Sequence, residues 1–122
     1  MPNAHKLHRV FVVDDEPVIA STLATILCRG GFEVRSFTMP REALLATQSE
    51  KPDLLISDVS MPVLSGIELA TQVQQVCPNC KVLLFSGSSD FHANSKKGGQ
   101  RFEVLTKPMH PSELLRKISE FD

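Results

Sequence analysis

Five short runs rich in apolar and β-branched residues punctuate the chain: Arg9 to Val13, Phe32 to Phe37, Asp53 to Ser57, Lys81 to Phe85 and Phe102 to Leu105. Three of them are hydrophobic at almost every position, namely Val10-Phe11-Val12-Val13, Leu54-Leu55-Ile56 and Val82-Leu83-Leu84-Phe85. A strand with one wet face alternates. A strand covered on both faces, as in a parallel sheet, does not. Phe32-Glu33-Val34-Arg35-Ser36-Phe37 does alternate and therefore reads as an edge.

Between the runs the period becomes helical. Ile19, Leu23, Ile26 and Leu27 repeat at helical spacing behind Pro17, which suits a first helical position, and Gly30-Gly31 ends that helix. Pro40 opens a second, with Ala43, Leu44 and Thr47 on one side. Ser65 and Glu68 have the spacing of a capping box at the head of a third, whose stripe is Leu69, Ala70, Val73 and Val76. Ser89 would cap a short fourth helix from Asp90 to Lys97, closed by Gly98-Gly99 and with only Phe91 and Ala93 to bury. The last begins at Ser112 after Pro111 and turns Leu114, Leu115, Ile118 and Phe121 inward.

Strand and helix thus alternate five times. That predicts an α/β fold, a doubly wound (βα)5 domain with a five-stranded parallel sheet in the flavodoxin-like order 2-1-3-4-5. Ligands of such sheets bind at the carboxyl ends of strands 1 and 3.

Composition narrows the classes. At 122 residues the chain holds one domain, expected over residues 9–122 behind a tail of residues 1–8. With 42% hydrophobic and 22% charged residues it is too apolar to be disordered. Thirteen Lys and Arg stand against fourteen Asp and Glu, and Trp and Tyr are absent, which argues against a nucleic-acid partner. The apolar run Val10 to Val13 stops at Asp14, too short for a signal peptide or a membrane span. Three cysteines make no disulfide framework, so the reading is cytoplasmic with reduced thiols and no membrane partner. Cys28 is expected in the core. Cys77-Pro78-Asn79-Cys80 has a CxxC spacing but no second Cys or His pair to complete a zinc site, and reads as a helix-to-strand loop. His5 and His8 are expected to be solvated in the tail.

The chemistry collects at the strand ends. Asp14 and Asp15 follow strand 1, and Asp58 follows strand 3. One Asp after a strand is ordinary; three at neighbouring strand ends repel one another and seek a cation. Oxygen-only ligands with room for water favour Mg2+ over a soft transition metal. Ser86-Gly87 after strand 4 and Lys107-Pro108 after strand 5 open onto the same edge, where a hydroxyl and an ammonium can meet phosphoryl oxygens.

Val-Val-Asp-Asp-Glu-Pro (Val12 to Pro17), Ser57-Asp58-Val59-Ser60-Met61-Pro62 with Gly66, Ser86-Gly87 and Lys107-Pro108 together resemble the receiver domain of two-component response regulators. The resemblance spans nearly the whole chain. It implies that Asp58 accepts a phosphoryl group from a sensor histidine kinase or phosphotransfer protein. It implies Mg2+ held by Asp15, Asp58 and the carbonyl of Ser60, with Asp14 acting through water. Lys107 would pair with the phosphoryl group. Ser86 would move to bond it, changing the surface of the fourth helix, fifth strand and fifth helix that faces a downstream output protein or domain. His92 and His110 would lie on that output surface. Two departures fall there too. Val104 stands where the family places a switching aromatic, with Phe102 the substitute on the same face, and the segment from Ser88 to Gln100 is more polar than a usual fourth helix.

The implied protein is a signalling switch that autodephosphorylates at most, not a dedicated turnover enzyme. A Mg2+-dependent phosphatase or phosphotransferase with an Asp nucleophile is the enzyme alternative. It would want the nucleophile after strand 1 with another Asp two residues on, and position 16 is Glu. A degenerate receiver that only binds partners is the other alternative, and the full set Asp14, Asp15, Asp58, Ser86 and Lys107 argues against it.

Overall fold

The structure, a computed structural model, describes residues 8–87, 96–97, 100–106 and 110–121. The tail apart from His8, most of the predicted fourth helix, His92 and Lys107-Pro108 lie outside the described residues. The elements run β1 (Arg9–Val13), α1 (Pro17–Arg29), β2 (Glu33–Phe37), α2 (Pro40–Ala46), β3 (Leu54–Asp58), α3 (Gly66–Val76), β4 (Lys81–Ser86), β5 (Lys96–Lys97), β6 (Gln100–Arg101), β7 (Glu103–Thr106) and α4 (Pro111–Phe121).

Five parallel strands form the main sheet in the order β2-β1-β3-β4-β7, which is the predicted 2-1-3-4-5 arrangement. The three near-continuous runs are its centre. All five residues of β3 are buried, as are the last four of β1 and the last five of β4. Leu54, Leu55 and Ile56 are fully inaccessible, and burying each contributes about 2 kcal/mol. The alternating run is the β2 edge, with Val34 half-buried between exposed Glu33 and Arg35 and Phe37 closing the strand in the core. One sheet face packs Phe11, Val13, Leu55 and Leu84 against α2 and α3 through Ala43, Leu69, Ala70 and Val73. The other packs Val10, Val12, Ile56, Leu83 and Phe85 against α1 and α4 through Leu27, Leu114 and Ile118.

The helix ends follow their sequence signals. Phe32 N–H donates to the Leu27 carbonyl and Gly31 N–H to that of Cys28, both at 3.1 Å, the paired bonds of a Schellman motif. Gly31 takes φ 98°, which a side chain would resist. The capping box forms as predicted: Ser65 N–H donates to Glu68 Oε1 at 3.0 Å and Glu68 N–H to Ser65 Oγ at 3.2 Å.

Three expectations need correction. Cys28 is exposed, because the inward stripe of α1 runs through Ala20 and Leu27 and position 28 lies a hundred degrees round the helix from Leu27. Val76 is 45% exposed, and its inward place is taken by Cys77, four residues after Val73. Lys96–Lys97, expected as the last residues of a helix, pair antiparallel with Gln100–Arg101. A Gly-Gly pair between two short runs is the sequence of a two-residue hairpin as much as of a helix stop.

One residue is strained. Val63 has φ 73°, a left-handed conformation that costs a β-branched residue about 1 to 2 kcal/mol, and it gains no burial in return, being 81% exposed. Asn tolerates this conformation. Val63→Asn should therefore raise stability by about 1 kcal/mol, seen as a higher urea midpoint at unchanged slope.

Candidate functional site

Three carboxylates meet where β1 and β3 leave the sheet. β1 and β3 pair in parallel with Val13 opposite Ser57, so Asp14 and Asp58 emerge side by side. Asp14 is fixed at both ends: its N–H donates to the Phe37 carbonyl at 3.1 Å, and its Oδ1 accepts the Glu16 N–H at 2.9 Å. That bond opens α1, whose N-cap Glu16 supplies no side-chain bond of its own and whose first residue, Pro17, has no N–H to satisfy. Asp14, Asp15 and Asp58 each place a carboxylate oxygen within 4.8 Å of the others. Asp14 is 1% and Asp58 9% exposed, while Asp15 faces solvent. Six oxygens held at about 2.1 Å from Mg2+ stand roughly 3 to 4 Å apart, so this hard, all-oxygen cluster fits such an ion with small side-chain adjustments.

Asp58 is held by the chain on either side of it. Ser57 Oγ donates to the Asp58 carbonyl at 2.9 Å, and Val59 N–H donates to Phe85 O at 2.8 Å. The loop then returns on itself. Gly66 N–H donates to Val59 O at 2.8 Å, and a Cβ on Gly66 would stand 2.1 Å from the Asp58 carbonyl oxygen and 2.9 Å from its carbon. Only a residue without a side chain lets the first turn of α3 lie on the backbone of Asp58. The sequence marked Gly66 as part of a motif, but the contact that requires it is made by the fold. Ser60 lies two residues beyond Asp58 in this loop and is exposed.

Ser86 closes β4, 2% exposed, one residue past Phe85, the register partner of Asp58. A Cβ on the next residue, Gly87, would meet nothing within 4 Å, so the chain there borders open space. Thr106 pairs with Ser86 and ends β7, which brings the chain to the same edge immediately before Lys107. Phe102 is 4% exposed and belongs to the core cluster against which half-buried Val104 packs. Its ring therefore lies in the interior in this structure. Exposed His110 acts locally, its Nδ1 accepting the Ser112 N–H at 3.1 Å at the head of α4. Exposed His8 faces Glu33 at 3.3 Å. Cys77 and Cys80 lie before β4, at the sheet edge opposite the carboxylates. Among the described residues, no helix is long and apolar enough to cross a membrane.

Residues 10–119 match the response regulator receiver domain family. The chain belongs to that family. Among relatives of this receiver domain, the chemotaxis protein CheY of Thermotoga maritima is 31% identical over 92% of this chain and 98% of its own length. The DNA-binding transcriptional regulator NtrC of Proteus hauseri is 34% identical over 89% of this chain but only 23% of its own length. The alkaline phosphatase synthesis regulator PhoP of Bacillus subtilis is 32% identical, with 46% of it covered. The receiver domain therefore spans nearly all of CheY and about a quarter of NtrC. Of solved structures, Vibrio cholerae CheY4 superposes with TM-score 0.83 at 29% identity over 93% of this chain and 98% of its own. TrrA of Thermotoga maritima, solved in complex with Mg2+-BeF, superposes with TM-score 0.83 at 30% identity over 94% of this chain and 99% of its own.

Two outcomes follow from the geometry. Gly66→Ala should cost about 1 to 3 kcal/mol, because backbone must move to admit the methyl group, whereas Gly87→Ala should leave the urea midpoint unchanged. Equal midpoints for the two variants would refute the close approach of α3 to Asp58. In Asp14→Asn the side-chain oxygen that accepts the Glu16 N–H is kept and one charge is removed from the cluster. Its melting temperature in chelator should rise, by the equivalent of about 1 kcal/mol, and Mg2+ should raise it less than it raises that of the wild type.

Proposed function

We propose that this receiver domain is a phospho-accepting switch in which Asp58 takes a phosphoryl group from a phosphohistidine of a partner kinase or phosphotransfer protein in the cytoplasm. The observation that carries the reading is the meeting of Asp14, Asp15 and Asp58 within 4.8 Å at the carboxyl edge of a parallel sheet. In this reading an Asp58 oxygen attacks the phosphorus in line, the phosphorus–nitrogen bond breaks, and the departing imidazole takes up a proton. The step needs position and charge neutralisation more than covalent help, and the backbone bonds around Asp58 supply position. Mg2+ would be held by Asp15, Asp58 and the Ser60 carbonyl, with Asp14 acting through water, and would offset the negative charge of carboxylate and phosphoryl group.

Lys107, directly after β7, would pair with one phosphoryl oxygen, and the hydroxyl of Ser86 would donate to another. Ser86 and Thr106 are register partners, so a movement of Ser86 reaches β7 through the strand ladder itself. With Val104 in the usual aromatic position, that backbone route takes the place of a rotating ring. The surface beside β7 and α4 would then present the change to an output protein or domain.

Asp58 should be the sole acceptor. After treatment with acetyl phosphate and Mg2+, the intact mass of the wild type should rise by one phosphoryl group and that of Asp58→Asn should not. An equal gain in both would overturn the assignment.

A further inference from the structure

The Cys77-Pro78-Asn79-Cys80 segment takes no part in the site at the carboxylates, and its spacing alone implies nothing. Its geometry does. Cys77 ends α3, its N–H donating to Val73 O at 2.7 Å. Cys80 N–H returns to the Cys77 carbonyl at 3.0 Å, which closes a four-residue turn with Pro78 at the position Pro favours. Gln74 Nε2 donates to Cys80 O at 2.9 Å and braces that turn against the helix. Such a turn holds its end Cα atoms within about 7 Å, and a disulfide needs about 4.4 to 6.8 Å. Both side chains are free thiols, 6% and 3% exposed, and both belong to the core cluster that contains Val73 and Val82. They belong to the core on one side of the sheet, with the turn keeping their Cα atoms within about 7 Å of each other.

We propose that Cys77 and Cys80 are a redox modification site, a dithiol that closes to an intramolecular disulfide when it meets a disulfide oxidant such as oxidised glutathione. The two thiols are not equivalent. Burial pushes the Cys80 thiol up to about 12, with the neighbouring Cys77 and Asp53 adding to the effect, and its S–H donates to Lys81 O at 3.3 Å. Burial also raises Cys77, but there the Lys51 ammonium acts in the opposite direction. Cys77 is also the more exposed of the two, 6% against 3%, and the two differences together assign it as the attacking sulfur. Its thiolate displaces one glutathione thiolate from oxidised glutathione and forms a mixed disulfide. Cys80, on losing its proton, attacks the Cys77 sulfur and expels the second glutathione. Two thiols lose two protons and two electrons in total, and oxidised glutathione becomes two molecules of glutathione. The bond would tie the end of α3 to the start of β4. Because buried thiols react slowly, it would form under sustained oxidation and not as a rapid sensor.

The test uses Cys28→Ser, which removes the exposed third thiol. Equilibrate this protein with glutathione buffers of graded potential, folded and in urea, then quench with acid, alkylate and measure mass. The folded chain should lose two hydrogens with no retained glutathione. Its equilibrium constant for closure should exceed that of the urea-unfolded chain by about tenfold or more, since the turn is already formed. An equal or smaller constant in the folded protein would overturn the proposal. Adding Cys80→Ser or Cys77→Ser to the same background should trap the mixed disulfide, forming faster at Cys77 than at Cys80. The reverse order would overturn the assignment of Cys77 as the attacking sulfur.

Discussion

Everything at the site depends on the strands being parallel. A parallel strand cannot be reached by a tight hairpin, so each of the main strands must be followed by a segment that crosses back along one face of the sheet. Two results follow together. The crossing helices cover both faces, which is why β1, β3 and β4 can be hydrophobic at almost every position. Every carboxyl end also arrives at one edge, which is why residues as distant in sequence as Asp14, Asp58 and Ser86 become neighbours. The core and the site come from the same topological requirement.

That requirement places charge where charge is costly. Asp14 follows the four buried residues that end β1 and Asp58 ends the fully buried β3, and both are themselves nearly inaccessible. The fold answers with backbone groups that fix these residues in place. The Glu16 N–H bonds Asp14, and the Ser57 hydroxyl and the returning loop hold the backbone of Asp58. Gly66 belongs to this arrangement as much as the carboxylates do, because α3 must approach the Asp58 peptide closely for the loop to close.

The sequence revealed whatever depends on local pattern. Continuous apolar runs marked the central strands, alternation marked β2, and Ser65 with Glu68 marked the start of α3, each because the periodicity or cap has one physical cause. It misled, or was silent, where the outcome depends on tertiary fit. Cys28 and Val76 are apolar residues near the ends of helical stripes, where a single step of a hundred degrees decides between core and solvent. Lys96 and Lys97, which pair with Gln100 and Arg101, stand in a stretch with so few apolar residues that no period could choose between strand and helix. The acidic cluster was legible because strand order turns residue number into position. The strained φ of Val63 was not, since nothing in Pro62-Val63-Leu64 signals a left-handed turn.

Among the described residues the sheet ends at β2 on one side and β7 on the other, and the side chains there bear on how the molecule behaves in company. On β2 the exposed positions include Glu33 and Arg35, with Arg35 paired to Glu50 at 3.1 Å and lying over the Phe37 ring. On β7 Glu103 is joined to Lys117 of α4 at 2.7 Å. Another strand seeking to extend the sheet at either margin would have to displace or desolvate these ions before its backbone could pair. Charge at the borders thus makes the five-stranded sheet a finished object. In a crowded solution these charges disfavour joining edge to edge at the two borders.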